Sequence, residues 1–231
     1  MIVIKKIKEY FSAFEIWLWI ISVTVITASF FIFDGKEYLT FFASLIGVTS
    51  LIFCAKGNPF GQVLMIVFGT IYGFISYGFK YYGEMITYMC MTVPMAVVSL
   101  VSWLRNPFKG KHSEVTVNRI GKREIAFMLV LSAVASVIFW FILDTFGTSN
   151  LLPSTASVTT SFIAAYLTFR RSPFFAFAYA LNDVVLIVLW ILASSVDPSY
   201  FSVIVCFFVF LVNDLYSFIN WLRMQKRQKN T

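Results

Sequence analysis

Two Asn-Asp pairs stand out, Asn182-Asp183 within ALNDVVLIVLW and Asn213-Asp214 within LVNDLYSFINWL. Each sets a neutral amide beside a carboxylate in a run that is otherwise almost wholly apolar. An amide supplies donors and acceptors and a carboxylate supplies negative charge, so the pairs can hold a polar ligand, attract a cation or tie neighbouring helices together. Aromatic and hydroxyl groups surround them at helical spacing. Tyr179 lies three positions before Asn182 and Trp190 eight after it, while Ser217 and Asn220 lie four and seven positions after Asn213. Aromatic rings stack on a planar base and attract a cation over the ring face by roughly 0.5–2 kcal/mol. Amides and hydroxyls suit the polar groups of the same ligand.

The elements that carry these residues follow from composition. Of 231 residues, 59% are hydrophobic, 19% aromatic and 13% charged, which is about half the charge of an ordinary soluble domain. Runs long enough to cross about 30 Å of hydrocarbon as helices fall at 16–33, 39–54, 60–79, 84–104, 124–143, 151–169, 174–194 and 200–222. Their continuous apolar character favours helices over barrel strands, which alternate. The expected fold class is therefore an all-α integral membrane protein of eight transmembrane helices, one transmembrane domain over 1–231. The first segment is too long for a typical cleaved signal core and lacks a small-residue cleavage site before Asp34 and Lys36.

Charge sets the expected orientation. With the N-terminus in the cytoplasm, 16 of the 18 Lys and Arg residues fall on the cytoplasmic side and only Lys36 and Lys80 outside. Both termini are then cytoplasmic, and the net charge of +7 is a basic rim facing anionic lipid headgroups of the cell membrane rather than a nucleic-acid site. Cys54, Cys90, Cys206 and His112 have no metal-like spacing, and neither a phosphate-cradling loop nor a nucleophile motif is present. Neither Asp183 nor Asp214 lies in the Tyr-Asp or Gly-x-Gly-Asp setting of an intramembrane aspartyl protease. The chain is read as no enzyme, with no cofactor and no metal.

An internal repeat is also visible. Asn58-Pro59-Phe60 and Ser172-Pro173-Phe174 each follow a basic residue and open a helix, and the next helices end at Trp103-Leu104-Arg105 and Trp221-Leu222-Arg223. Equivalent helices are four apart and cross in the same sense, so the expected repeat is parallel. It comprises a three-helix unit at 39–105, a linker helix at 124–143, a second unit at 151–223 and an extra N-terminal helix at 16–33. Transporters of this design bind substrate near the midplane between the halves. Asp183 lies roughly 14 Å from the start of its helix and Asp214 about 12 Å from the end of its own, so both sit at similar depth. A carboxylate facing lipid there costs at least ~2.5 kcal/mol, which turns both inward. From the first unit, Gln62, Tyr72 and Tyr88 are further ligand candidates, and Glu84 at the outer membrane edge is a candidate gate. Ser154, Ser157, Ser161, Ala164 and Ala165 form a small-residue face that reads first as helix packing.

Tyr82-Gly83-Glu84-Met85 opening a helix with Pro94 within it and Trp103 at its end resembles the corresponding helix of the PnuC family of vitamin transporters. Asn182-Asp183 with Trp190, Asn213-Asp214-Leu215-Tyr216 and Trp221 resemble the last two helices of some members. The resemblance covers about residues 40–223. It implies a three-plus-one-plus-three fold related to the SWEET transporters, facilitated diffusion of nicotinamide riboside and a homotrimeric assembly. Other branches carry riboflavin or thiamine, and a vitamin-binding subunit with an energising partner is the alternative to an autonomous transporter.

Overall fold

The computed structural model describes residues 9–78, 82–148, 150–195 and 200–230. Lys5, Lys6, Lys8 and Lys80 of the charge argument, and the side chains of Tyr82 and Gly83, lie outside the described residues. Helix α1, Ala13–Ser29, runs into a π turn at Phe30–Asp34 that Gly35 ends in a left-handed conformation. It is followed by α2, Tyr38–Ala55, and α3, Phe60–Gly78. Helix α4 is composite, with Tyr82–Ile86, a π turn at Thr87–Thr92 and Val93–Leu104 in succession. The remaining helices are α5, Lys122–Thr145; α6, Leu151–Phe169; α7, Phe174–Ser194; and α8, Phe201–Lys229. A small hairpin of β1, Pro107–Phe108, and β2, Lys111–Val115, lies between α4 and α5.

Local sequence explains the breaks. Ser12 caps α1 by accepting from the Glu15 backbone N–H at 3.3 Å, while the Glu15 carboxylate accepts from the Ser12 N–H at 2.7 Å. In α4, Pro94 has no N–H and its ring would clash with the carbonyl four residues earlier. The wider π turn at Thr87–Thr92 immediately before it relieves that conflict.

Among the described residues, seven helices are long and apolar enough to cross a membrane. Helix α6 also has 19 residues, but its Ser- and Thr-rich sequence lowers its hydropathy. It still packs within the bundle, between α5 and α7. Its polar groups face protein, which a hydropathy threshold does not register.

The contacts form a ring. Helix α2 packs on α3, α3 on α4, α4 on α6, α6 on α7, α7 on α8, and α8 returns to α2. Outside it, α1 lies on α8 and α2, and α5 lies on α6. The ends of the helices near Lys56, Arg105, Arg170 and Arg223 make up what is called here the basic end. There a core of Trp103, Trp221, Phe175, Cys54, Ala164 and Leu167 fills the centre of the ring. The hairpin covers this end, with the Val115 N–H donating to Gly57 O at 2.9 Å and Gln228 Nε2 to Glu114 Oε1 at 2.7 Å.

Candidate functional site

A cavity of about 490 Å³ occupies the ring, within the range of small-molecule sites. It runs from Phe146, Gly147, Thr148 and Asn150 in the α5–α6 connection, at the end opposite the basic one, to Tyr179, Asp183 and Asp214. Every helix of the ring contributes to its wall, α2 through Leu51.

Aromatic side chains wall it on two sides. On α3 and α4, the Tyr72 and Tyr88 rings lie 4.8 Å apart, with Phe68 against both. On α7 and before α8, the Trp190 ring lies 5.1 Å from that of Tyr200. Between these walls the polar groups are graded by element. Helix α6 presents Ser154, Ser157 and Ser161, spaced three and four apart on one face. Of the small-residue face expected to serve packing, Ser154, Ser157, Ser161 and Ala165 line the cavity, while Ala164 packs in the core at the basic end. The hydroxyls of Thr160 and Ser161 reach Asn182 Oδ1 at 2.8 and 3.0 Å, which fixes the amide plane and leaves its nitrogen to a ligand.

The acids are set deepest. Asp183 and Asp214 are both buried, line the cavity and lie in side-chain contact with each other. Asp183 Oδ2 is buried with no hydrogen-bond partner among the described residues, beside the cavity that the residue lines. Glu84 enters from α4, nearer the opposite end. These three carboxyl groups meet no lysine, arginine or histidine among the described residues of the lining.

The structure thus brings together Tyr72, Tyr88, Glu84, Tyr179, Asn182, Asp183, Trp190 and Asp214, and it directs three other candidates elsewhere. Asn213 is only 1% exposed and does not line the cavity; its Nδ2 donates to Ser22 Oγ of α1 at 2.9 Å and to Val209 O at 2.9 Å. Ser217, one turn further along, is buried on the same side of α8 and also does not line the cavity. Gln62 turns toward α2, where its Nε2 donates to Cys54 Sγ at 3.4 Å. Helix geometry places Asn213 and Ser217, and a close helix approach places Gln62. Adjacent helical residues are about 100° apart, so Asn213 faces the extra helix while Asp214 faces the cavity. Gly61 lets α3 approach α2 closely enough to enclose Gln62. Sequence reasoning did not single out Thr160, Asn150, Phe68 or Tyr200; the Thr159-Thr160-Ser161 hydroxyl run in α6 was the available signal for the first of these.

A ring of membrane-length helices around a polar, aromatic cavity defines the class as a membrane transporter. The chain belongs to the family described as nicotinamide mononucleotide transporter, whose model matches residues 37–223. It is 23% identical over 214 residues to the nicotinamide riboside transporter PnuC of Neisseria mucosa, covering 91% of this chain and 81% of that protein. Its fold is similar to that in the crystal structure of the vitamin B3 transporter PnuC, with a TM-score of 0.81 and 22% identity over 94% of each chain. The family is one of membrane transporters, not enzymes.

Proposed function

We propose that this chain carries nicotinamide riboside across the cell membrane by facilitated diffusion, binding it in the central cavity. The observation that carries this reading is the acidic character of the wall, with Glu84 and the touching Asp183–Asp214 pair and no basic side chain among its described residues. A pyridinium nucleoside is a flat cation with hydroxyls. Tyr72, Tyr88, Tyr179 and Trp190 supply ring faces for the base, and Asn182 and the α6 hydroxyls supply polar partners. The name of the Neisseria mucosa relative supports the same ligand.

The family description names the mononucleotide, which differs from the riboside by a phosphate of about −1.5 to −2 charges near pH 7. That phosphate would meet three carboxyl groups without a compensating cation in a low-dielectric site. The dephosphorylated form is the better match.

The basic end is the cytoplasmic end in this reading, both termini are cytoplasmic, and the cavity serves the external side. The excess of Lys and Arg at one end supports it. Helices α2–α4 and α6–α8 are two parallel three-helix repeats, supported by their reciprocal neighbours in the ring, with α1 and α5 outside. The assembly is a homotrimer, a reading that rests on the resemblance alone.

Competition for binding to purified protein tests the substrate. Nicotinamide riboside is expected to bind saturably, and the mononucleotide and neutral riboflavin to compete poorly. Thiamine, also a cation, is the demanding competitor. Binding of riboflavin or thiamine with none of nicotinamide riboside would reject the assignment.

A further inference from the structure

At the basic end the two seams that close the ring are tied by matched hydrogen bonds. Trp103 Nε1 at the end of α4 donates to Thr168 O of α6 at 2.9 Å. Trp221 Nε1 of α8 donates to Cys54 O of α2 at 2.8 Å. Thr168 and Cys54 are equivalent, each two residues before the capping residues Arg170 and Lys56. The residue before each tryptophan repeats the pattern one carbonyl later. Ser102 Oγ donates to Phe169 O at 2.8 Å, and Asn220 Nδ2 donates to Ala55 O at 2.8 Å.

The two indoles also meet each other. Their rings lie 5.4 Å apart, both are fully buried, and Phe175 stands edge-on to Trp221 at 4.9 Å. Tyr179, in the cavity lining, packs against the same cluster. The cluster is therefore the floor of the cavity and the plug between it and the basic end.

The carbonyl-bearing helix ends are also held from outside by acids at the starts of α1 and α5. Glu15, third in α1, pairs with Lys56 and accepts from Tyr216 Oη at 2.9 Å. Glu124, third in α5, pairs with Arg170 and accepts from Tyr166 Oη at 3.4 Å. Tyr216 belongs to α8, so Glu15 adds a further tie across the α2–α8 seam, whereas Glu124 holds two residues of the α6 end.

We propose that Trp103 and Trp221, with Ser102 and Asn220, form a two-fold cytoplasmic gate that must release Thr168 O and Cys54 O for the ligand to leave the cavity at the basic end. The proposal rests on the orientation and transport cycle above, but not on which ligand is carried. Two tryptophans on opposite seams contribute equivalent latches, so removing one N–H weakens one seam and removing both weakens the closed state twice.

Cys54 is a built-in reporter, because its buried thiol lies at the α2 carbonyl that Trp221 grips. In a Cys90→Ser, Cys206→Ser background reconstituted in vesicles, an impermeant maleimide is applied from either side and the Cys54 labelling rate is read. Trp103→Phe and Trp221→Phe keep a ring and lose the donor. Each is expected to raise labelling from the basic side about 5-fold, and the pair about 25-fold, for one and two hydrogen bonds lost. Labelling from the opposite side should not rise. Asn220→Ala and Ser102→Ala are milder versions that decide the matter where a tryptophan variant does not fold, and Trp140→Phe on the exposed face of α5 is the control. Unchanged labelling in these variants, or equal increases from both sides, would overturn the gate. Ligand binding measured in parallel keeps the outcomes separate: a chain that binds no nicotinamide riboside yet shows sided labelling loses its substrate assignment and keeps its gate.

Discussion

Asp183 and Asp214 touch, so the two acids share a proton and carry about one negative charge between them; replacing both by asparagine removes that charge with almost no change in shape. Both line the deepest part of the cavity beside Tyr179, and a pyridinium taken at ~5 Å from the pair sets the scale of the interaction. At an effective dielectric near 20, one charge at that separation contributes about 3 kcal/mol, and solvent reaching the cavity lowers this to about 2 kcal/mol. The expected loss of affinity for nicotinamide riboside is therefore about 30-fold. Reduced nicotinamide riboside has an uncharged ring and nearly the same outline, so its affinity should change by less than about 3-fold in the double variant. Calorimetric titration of both compounds against wild type and the Asp183→Asn, Asp214→Asn double variant gives the comparison. Equal losses for the charged and uncharged ligands would refute the electrostatic argument, since the acids would then act through shape or hydrogen bonding alone.

The amides of the two pairs should separate. Asn182→Leu is expected to weaken ligand binding by about 1–3 kcal/mol with little change in thermal stability, whereas Asn213→Leu should lower the unfolding midpoint and leave affinity intact, because its partner is Ser22 of α1. The reverse pattern would return Asn213 to the site. Glu15 is 2% exposed and holds Lys56 and Tyr216 together, so Glu15→Gln should cost about 2 kcal/mol of stability in a thermal melt, the partial exposure of Lys56 moderating the loss; an unchanged midpoint would show that the ion pair contributes nothing. Gly61→Ala would set a Cβ 2.6 Å from Cys54 Sγ and 2.7 Å from the Cys54 backbone N, forcing α3 off α2, and is expected to reduce stability by about 1–3 kcal/mol. Gly78→Ala, with nothing within 4 Å of the added carbon, is the control that should melt like wild type.

The eight helices are readable because each apolar run is bounded by charges or by proline. The polar face of α6 was visible as serines at helical spacing, yet its role was not: Ser154, Ser157 and Ser161 look the same whether they let helices pack or line a cavity. The same limit governs the Asn-Asp pairs. Polarity in an apolar run shows that Asn213 faces protein, but the choice between cavity and neighbouring helix depends on where α1 lies. Ser22 on α1 is one hydroxyl among many in the sequence. The position of Gln62 is hidden for a related reason, since its enclosure follows from the close α2–α3 approach at Gly61, a property of two helices rather than one. Trp103 and Trp221 were seen as repeat markers; their reciprocal grip on Thr168 and Cys54 emerges only when the two seams are in place.

Uptake of radiolabelled nicotinamide riboside into vesicles containing only this protein, with no nucleotide, partner protein or ion gradient, tests the transport reading most directly. Saturable uptake that stops at equal concentrations on both sides, with the mononucleotide failing to enter, is the expected result. Uptake that requires an energising partner or a gradient, or preferential entry of the phosphorylated compound past Glu84, Asp183 and Asp214, would contradict it.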